Sequence, residues 1–78
     1  SILVRGRPHA SAMKEKRQAY FETLGFVETP IYQRELLYRR QIVDGPCIIE
    51  QPDSTTVVEP KQSAIVSPSG ELLISQGR

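Results

Sequence analysis

The sequence predicts a mainly β fold: a small barrel or barrel-sandwich of short antiparallel strands with one short helical turn. Two observations carry that expectation. From Gln41 onward, short runs rich in β-branched residues recur: Ile42-Val43, Cys47–Glu50, Thr55–Val58, Ser63–Val66 and Leu72–Ser75. Each gap between them holds turn chemistry, namely Asp44-Gly45-Pro46, Pro52-Asp53-Ser54, Glu59-Pro60-Lys61 and Pro68-Ser69-Gly70.

Taken in chain order, the first part is the least regular. Ser1–Val4 is a short apolar start that Arg5-Gly6-Arg7-Pro8 breaks. "HASAMKEK" (9–16) has no apolar period, so 1–16 is expected to be a flexible N-terminal linker and 17–78 the β domain. Arg17–Glu22, with Tyr20-Phe21 near its end, suits a short strand, and Gly25–Thr29 a second extended piece. Pro30 then disfavours helical backbone at Thr29. In "IYQRELLYRR" (31–40) a strand-like entry at Ile31-Tyr32 gives way to Leu36-Leu37, which allows a helical turn near 33–38. The best single element is "SAIVSPSGELLIS": two alternating strands around Ser67–Gly70, with Pro at a favoured turn position and Gly supplying positive φ.

At 78 residues the chain is one domain at most. A chain this short buries only about 60–65% of its extended surface, which leaves a thin core. It starts at Ser1 without a methionine and is rich in Gly and Pro, as expected of a domain excised from something larger. Ten Lys and Arg against nine Asp and Glu give a formal charge of +1. That balance argues against a nucleic-acid or membrane-surface module, which carries a strong basic excess. One cysteine makes no internal disulfide, so a cytoplasmic setting is expected rather than a secreted one. No apolar run approaches the roughly 18–20 residues of a membrane span, and no signal peptide is visible.

Short motifs give no enzyme. Arg5–Pro8 matches the core of a minor-groove hook, but its neighbours lack the further positive charge that phosphate contacts need. Ala12-Met13-Lys14 matches the biotin-carrier lysine motif in three residues, without the apolar strands that would make that lysine a free arm. His9 and Cys47 are the only soft metal ligands, and two do not make a zinc site. Cys47, between Pro46 and Ile48, reads as a small buried hydrophobe with a raised pKa. The carboxylates Glu50, Asp53, Glu59 and Glu71 are scattered, and no Gly-rich phosphate cradle exists.

The longer pattern is more specific. "TPIYQRELL" (29–37), "IVDGPCIIEQPDSTTVVEP" (42–60) and "SPSGELLI" (67–74) resemble the C-terminal end of the hydantoinase A / 5-oxoprolinase family. That family ends in a pattern close to TP-V-Y-x-R-x-x-L, then GPA-I-I-E-x-x-D-S-T-T-V-V-P-P-G, then a short hairpin. Cys47 stands where the family more often has Ala, Glu59 where it commonly has Pro, and Lys61 where Gly is usual. The resemblance implies a parent enzyme that couples ATP hydrolysis to opening a cyclic amide, or in relatives to carboxylating a ketone. It implies ATP and a divalent metal for the parent but no cofactor in this segment, whose expected role is structural or subunit contact. The implied partners are the upstream domains of the parent chain or a hydantoinase B-type subunit, with no nucleic acid and no membrane. A small-barrel adaptor for a ligand or nucleic acid is the alternative, which the near-neutral charge disfavours.

The polar elbow Asp53, Ser54, Thr55, Thr56 is the candidate site, either as a structural turn or as a domain contact. Asp53 and Ser54 are expected to accept hydrogen bonds from backbone N–H groups one or two residues on. Thr55 and Thr56 are expected to restart the strand with one hydroxyl on each face.

Overall fold

The computed structural model describes residues 4–5 and 12–76. Among the described residues eight strands form two four-stranded sheets: β1 (Val4–Arg5), β4 (Gln41–Asp44), β7 (Gln62–Val66) and β8 (Leu72–Gln76) in one, in the order β1-β4-β7-β8. The other holds β2 (Met13–Phe21), β3 (Gly25–Gln33), β5 (Cys47–Gln51) and β6 (Ser54–Val58), in the order β2-β3-β5-β6. A single turn of 3-10 helix, Arg34–Leu36, links β3 to β4. The mainly-β fold with one short helical turn is the one expected, built as a small sandwich. Two pairings are parallel, β1 with β4 and β3 with β5, so the sheets are mixed rather than purely antiparallel.

Alternation sorts the side chains. In β5, Cys47 and Ile49 are fully buried while the alternating Ile48 and Glu50 are not. Their ladder partners Val58 and Thr56 share that inner face, because opposed residues of an antiparallel pair point the same way. Val43 of β4 and Ala64 and Val66 of β7 supply the facing layer, with Tyr32 and Leu37 closing the same cluster. Burying each of the larger aliphatic side chains contributes about 1.5–3 kcal/mol, so a handful of them holds this thin core.

Two boundaries differ from the sequence expectation. The first long strand begins at Met13, not Arg17, so Met13–Lys16 of the expected linker are strand; residues 6–11 of that linker lie outside the described residues. The strand is an edge with polar side chains on both faces, which is why no alternation marked it. Its Lys14, Glu15, Lys16 and Arg17 place charge on an exposed edge, the usual protection against stray pairing. The second difference is that β3 runs straight through Pro30. At Pro30 the strand has a neighbour on one side only, since β5 joins it at Ile31–Gln33, and a proline is tolerated there.

The turns follow their residues. Gly70 N–H donates to the Ser67 carbonyl at 2.9 Å with Pro68 and Ser69 between, and Gly70 itself takes φ +99. That is a type I turn closed by a left-handed glycine, and Ser67 N–H reaches the Glu71 carbonyl at 2.8 Å to resume the ladder. The Ser67 hydroxyl accepts from Glu71 N–H at 3.0 Å, which explains why a serine is buried there. Between β6 and β7, Gln62 N–H donates to the Glu59 carbonyl at 2.9 Å and Lys61 has φ +70. With Pro60 at the second position this is a type II turn whose third position favours glycine.

Candidate functional site

The elbow is the tip of the β5–β6 hairpin. Pro52 and Asp53 form a two-residue turn, and the ladder closes at Gln51 opposite Ser54, then Glu50 opposite Thr55 and Ile49 opposite Thr56. Thr55 therefore shares the outer face with Glu50, and half-buried Thr56 shares the inner face with Ile49. Asp53, Ser54 and Thr55 are exposed. Among the described residues, no hydrogen bond is made by the side chains of these four. The side-chain bonds to backbone expected from Asp53 and Ser54 do not form; the β5–β6 ladder itself continues to the last pair before the turn.

Beside this tip lies a shallow cleft of about 260 Å³ lined by Lys14, Gln33, Glu35, Glu50, Gln51 and Pro52. Lys14 Nζ on β2 meets Glu50 Oε1 on β5 at 3.1 Å, a bridge that reaches across β3. Lys14 is thus held in a strand by a carboxylate, unlike the free arm of a biotin carrier. The cleft is smaller than the roughly 300–1,000 Å³ of small-molecule sites, and apart from Pro52 its lining residues are charged or amide-bearing, where such sites are lined mostly by apolar and aromatic residues. The sequence reading missed this grouping because Lys14, Glu35 and Glu50 are brought together only by the β2-β3-β5 order.

Other polar links are structural. Ser63 Oγ donates to Asp44 Oδ1 at 2.7 Å, joining β7 to β4. Gln41 is buried with its Oε1 accepting from Tyr38 N–H at 3.0 Å. The Arg34 guanidinium donates to the Gly70 carbonyl, fastening the helical turn to the β7–β8 turn.

Cys47 is fully buried, and its thiol is pushed up to about 12, first by burial and then by the nearby Asp44 carboxylate. A thiol held neutral is no nucleophile. Among the described residues no three His, Cys, Asp or Glu side chains gather where they could hold a metal ion, and no helix is long and apolar enough to cross a membrane. His9 and Gly6–Pro8 lie outside the described residues.

Comparison with known proteins gives this arrangement a context. Residues 3–69 match the model of the hydantoinase/oxoprolinase C-terminal domain. The acetophenone carboxylase gamma subunit of Aromatoleum aromaticum is 38% identical over 68 residues, which is 86% of this chain and 9% of that protein. The 5-oxoprolinase of Dictyostelium discoideum is 43% identical over 65 residues, 80% of this chain and 5% of that protein. A nucleotide-free structure of acetone carboxylase superposes with a TM-score of 0.81 at 22% identity, covering 97% of this chain and 11% of that one, a likeness of fold. The chain thus spans less than a tenth of the length of these curated relatives. With a family model covering most of its length, the chain belongs to the hydantoinase/oxoprolinase C-terminal domain family.

Proposed function

We propose that this chain is the non-catalytic C-terminal domain of an ATP-dependent enzyme of the hydantoinase/5-oxoprolinase type, whose parent chain hydrolyses a cyclic amide. In this reading the domain acts as a structural module that contacts the upstream domains or a hydantoinase B-type subunit, in a cytoplasmic setting. The observation that carries it is the family match over residues 3–69, joined to relatives that are more than ten times longer than the matched segment. The site chemistry supports the same division of labour. The one thiol is buried and neutral, and the Lys14–Glu50 cleft presents a salt bridge rather than an activated group. The exposed side chains of Asp53–Thr55, which make no hydrogen bonds within the described residues, are available for contact with another domain, as polar loops on rigid scaffolds commonly are.

The test compares the full-length parent with a version truncated before this domain, assayed for ATP-dependent ring opening of a hydantoin or 5-oxoproline. Turnover by the full chain, its loss or weakening on truncation, and an inert 78-residue chain support the reading. Turnover by the 78-residue chain itself would overturn it.

A further inference from the structure

The β2–β3 hairpin is longer than the sheet it belongs to. β3 meets β5 only at Ile31, Tyr32 and Gln33, whereas its ladder with β2 continues outward to Phe21 opposite Gly25. Residues 17–29 therefore extend as a two-stranded ribbon. Its two faces differ. Phe21 and Thr29 on one face are buried, so that face lies against the domain. The other face carries Gln18 opposite Glu28 and Tyr20 opposite Phe26. The rings of Tyr20 and Phe26 pack edge to face with centroids 5.1 Å apart, yet Tyr20 is 61% exposed and Phe26 73%. Leu24, in the adjoining turn, is 49% exposed. Exposed rings in a preformed pair are what an interface anchor needs, since they offer large area at little cost in side-chain freedom.

We propose that the Tyr20–Leu24–Phe26 face of this hairpin docks on the preceding domains of the same polypeptide. The inference rests on the reading that this chain is one domain of a longer enzyme. Two observations select that occupant. More than nine-tenths of the curated relatives' length lies outside the matched segment, and the acetone carboxylase likeness covers 97% of this chain, hairpin included, within a chain of which it is 11%. The neighbouring charges are mixed, with Lys16 and Glu28 on the same face and Glu22 in the adjoining turn, which is the polar rim of a protein interface rather than the basic field of a membrane or nucleic-acid surface.

Hydroxyl-radical footprinting of the native full-length protein, read by mass spectrometry against the same protein unfolded in urea, tests this directly. A docked face gives Tyr20 and Phe26 at least about tenfold protection, as befits desolvated anchors. Labelling within about twofold of the unfolded chain, the level left by a solvated hairpin face, overturns the proposal. Protection that disappears on dilution also overturns it, by assigning the face to a second copy of the chain. A Y20S/F26S variant of the full-length protein should label more strongly at Leu24 than the wild type does. If truncation abolishes turnover while Tyr20 and Phe26 label freely, the docking face fails and the functional reading stands. If truncation leaves turnover intact, the functional reading fails on its own account.

Discussion

Gly45 lies directly against the backbone of Glu59: a Cβ placed on it would press into the Glu59 carbonyl oxygen and stand 2.7 Å from that of Val58. The glycine is needed here for space, since its backbone is not in the left-handed region, and its N–H also donates to the Gln62 carbonyl at 2.9 Å. Both neighbours are main chain, which has no rotamer to give. Gly45→Ala is therefore expected to destabilise the domain by about 3 kcal/mol, at the upper end of overpacking costs. Urea unfolding followed by circular dichroism measures it, and a change below about 1 kcal/mol would show that the β6–β7 turn yields more easily than this packing implies.

Lys61 offers the opposite opportunity. It holds φ +70 at the third position of a type II turn. A non-glycine residue in this region costs about 1–2 kcal/mol, partly offset in a glycine by its greater freedom when unfolded. Lys61→Gly should raise stability by about 0.5–1 kcal/mol, seen as a higher melting temperature. An unchanged or lower melt would mean that the lysine side chain contributes something its position does not reveal.

Asp53→Ala is expected to leave the melt of the 78-residue chain within about 0.5 kcal/mol of wild type, as for an exposed side chain without partners. The hydrogen bonds to backbone N–H groups that the sequence predicts for Asp53 would make the loss comparable to that of a helix cap. Here the exposed Asp53 carboxylate makes no hydrogen bond among the described residues, so there is no such bond to lose. A drop of more than about 1 kcal/mol would restore the capping role.

Cys47 makes stability depend on pH in the alkaline range. Its folded-state pKa is raised from 9.0 to about 12, so the unfolded thiol ionises first. Its contribution is fully present below pH 9 and is lost as pH rises from there toward 12. Cys47→Ala should therefore lose less stability than wild type between pH 8 and about 10.5, although it is the less stable protein at pH 7. Parallel urea titrations at both ends of that window decide it; identical slopes against pH would place the thiol in a wetter site.

Much of the second half of the fold was legible because its signals are local. Pro68 and Gly70 fix their turn by their own backbone preferences, and Cys47 and Ile49 alternate with Ile48 and Glu50 as a half-buried strand must. Met13–Lys16 and Pro30 misled for a shared reason: both sit where a strand lacks one neighbour, so burial imprints no pattern and a proline costs no ladder bond. The parallel pairing of Ile31 with Ile48 depends on which strands become neighbours, a property of the whole chain. The elbow was found at its tip, but the Lys14–Glu50 bridge beside it joins residues 36 positions apart and has no local signature.

The chain's route between the sheets bears on how the domain acquires its structure. Successive strands change sheet at β1–β2, β3–β4, β4–β5 and β6–β7, and both parallel ladders join strands that are not consecutive. Neither sheet can be completed from one continuous stretch, since β4 must be laid down in one before β5 can return to the other. Long loops have to close before these ladders reward them, so the domain is expected to acquire its structure slowly for its size, in milliseconds to about a second. Cut fragments should behave accordingly: a peptide ending at Leu37 holds the β2–β3 hairpin but lacks β4, β7 and β8 of the other sheet and β5 and β6 of its own.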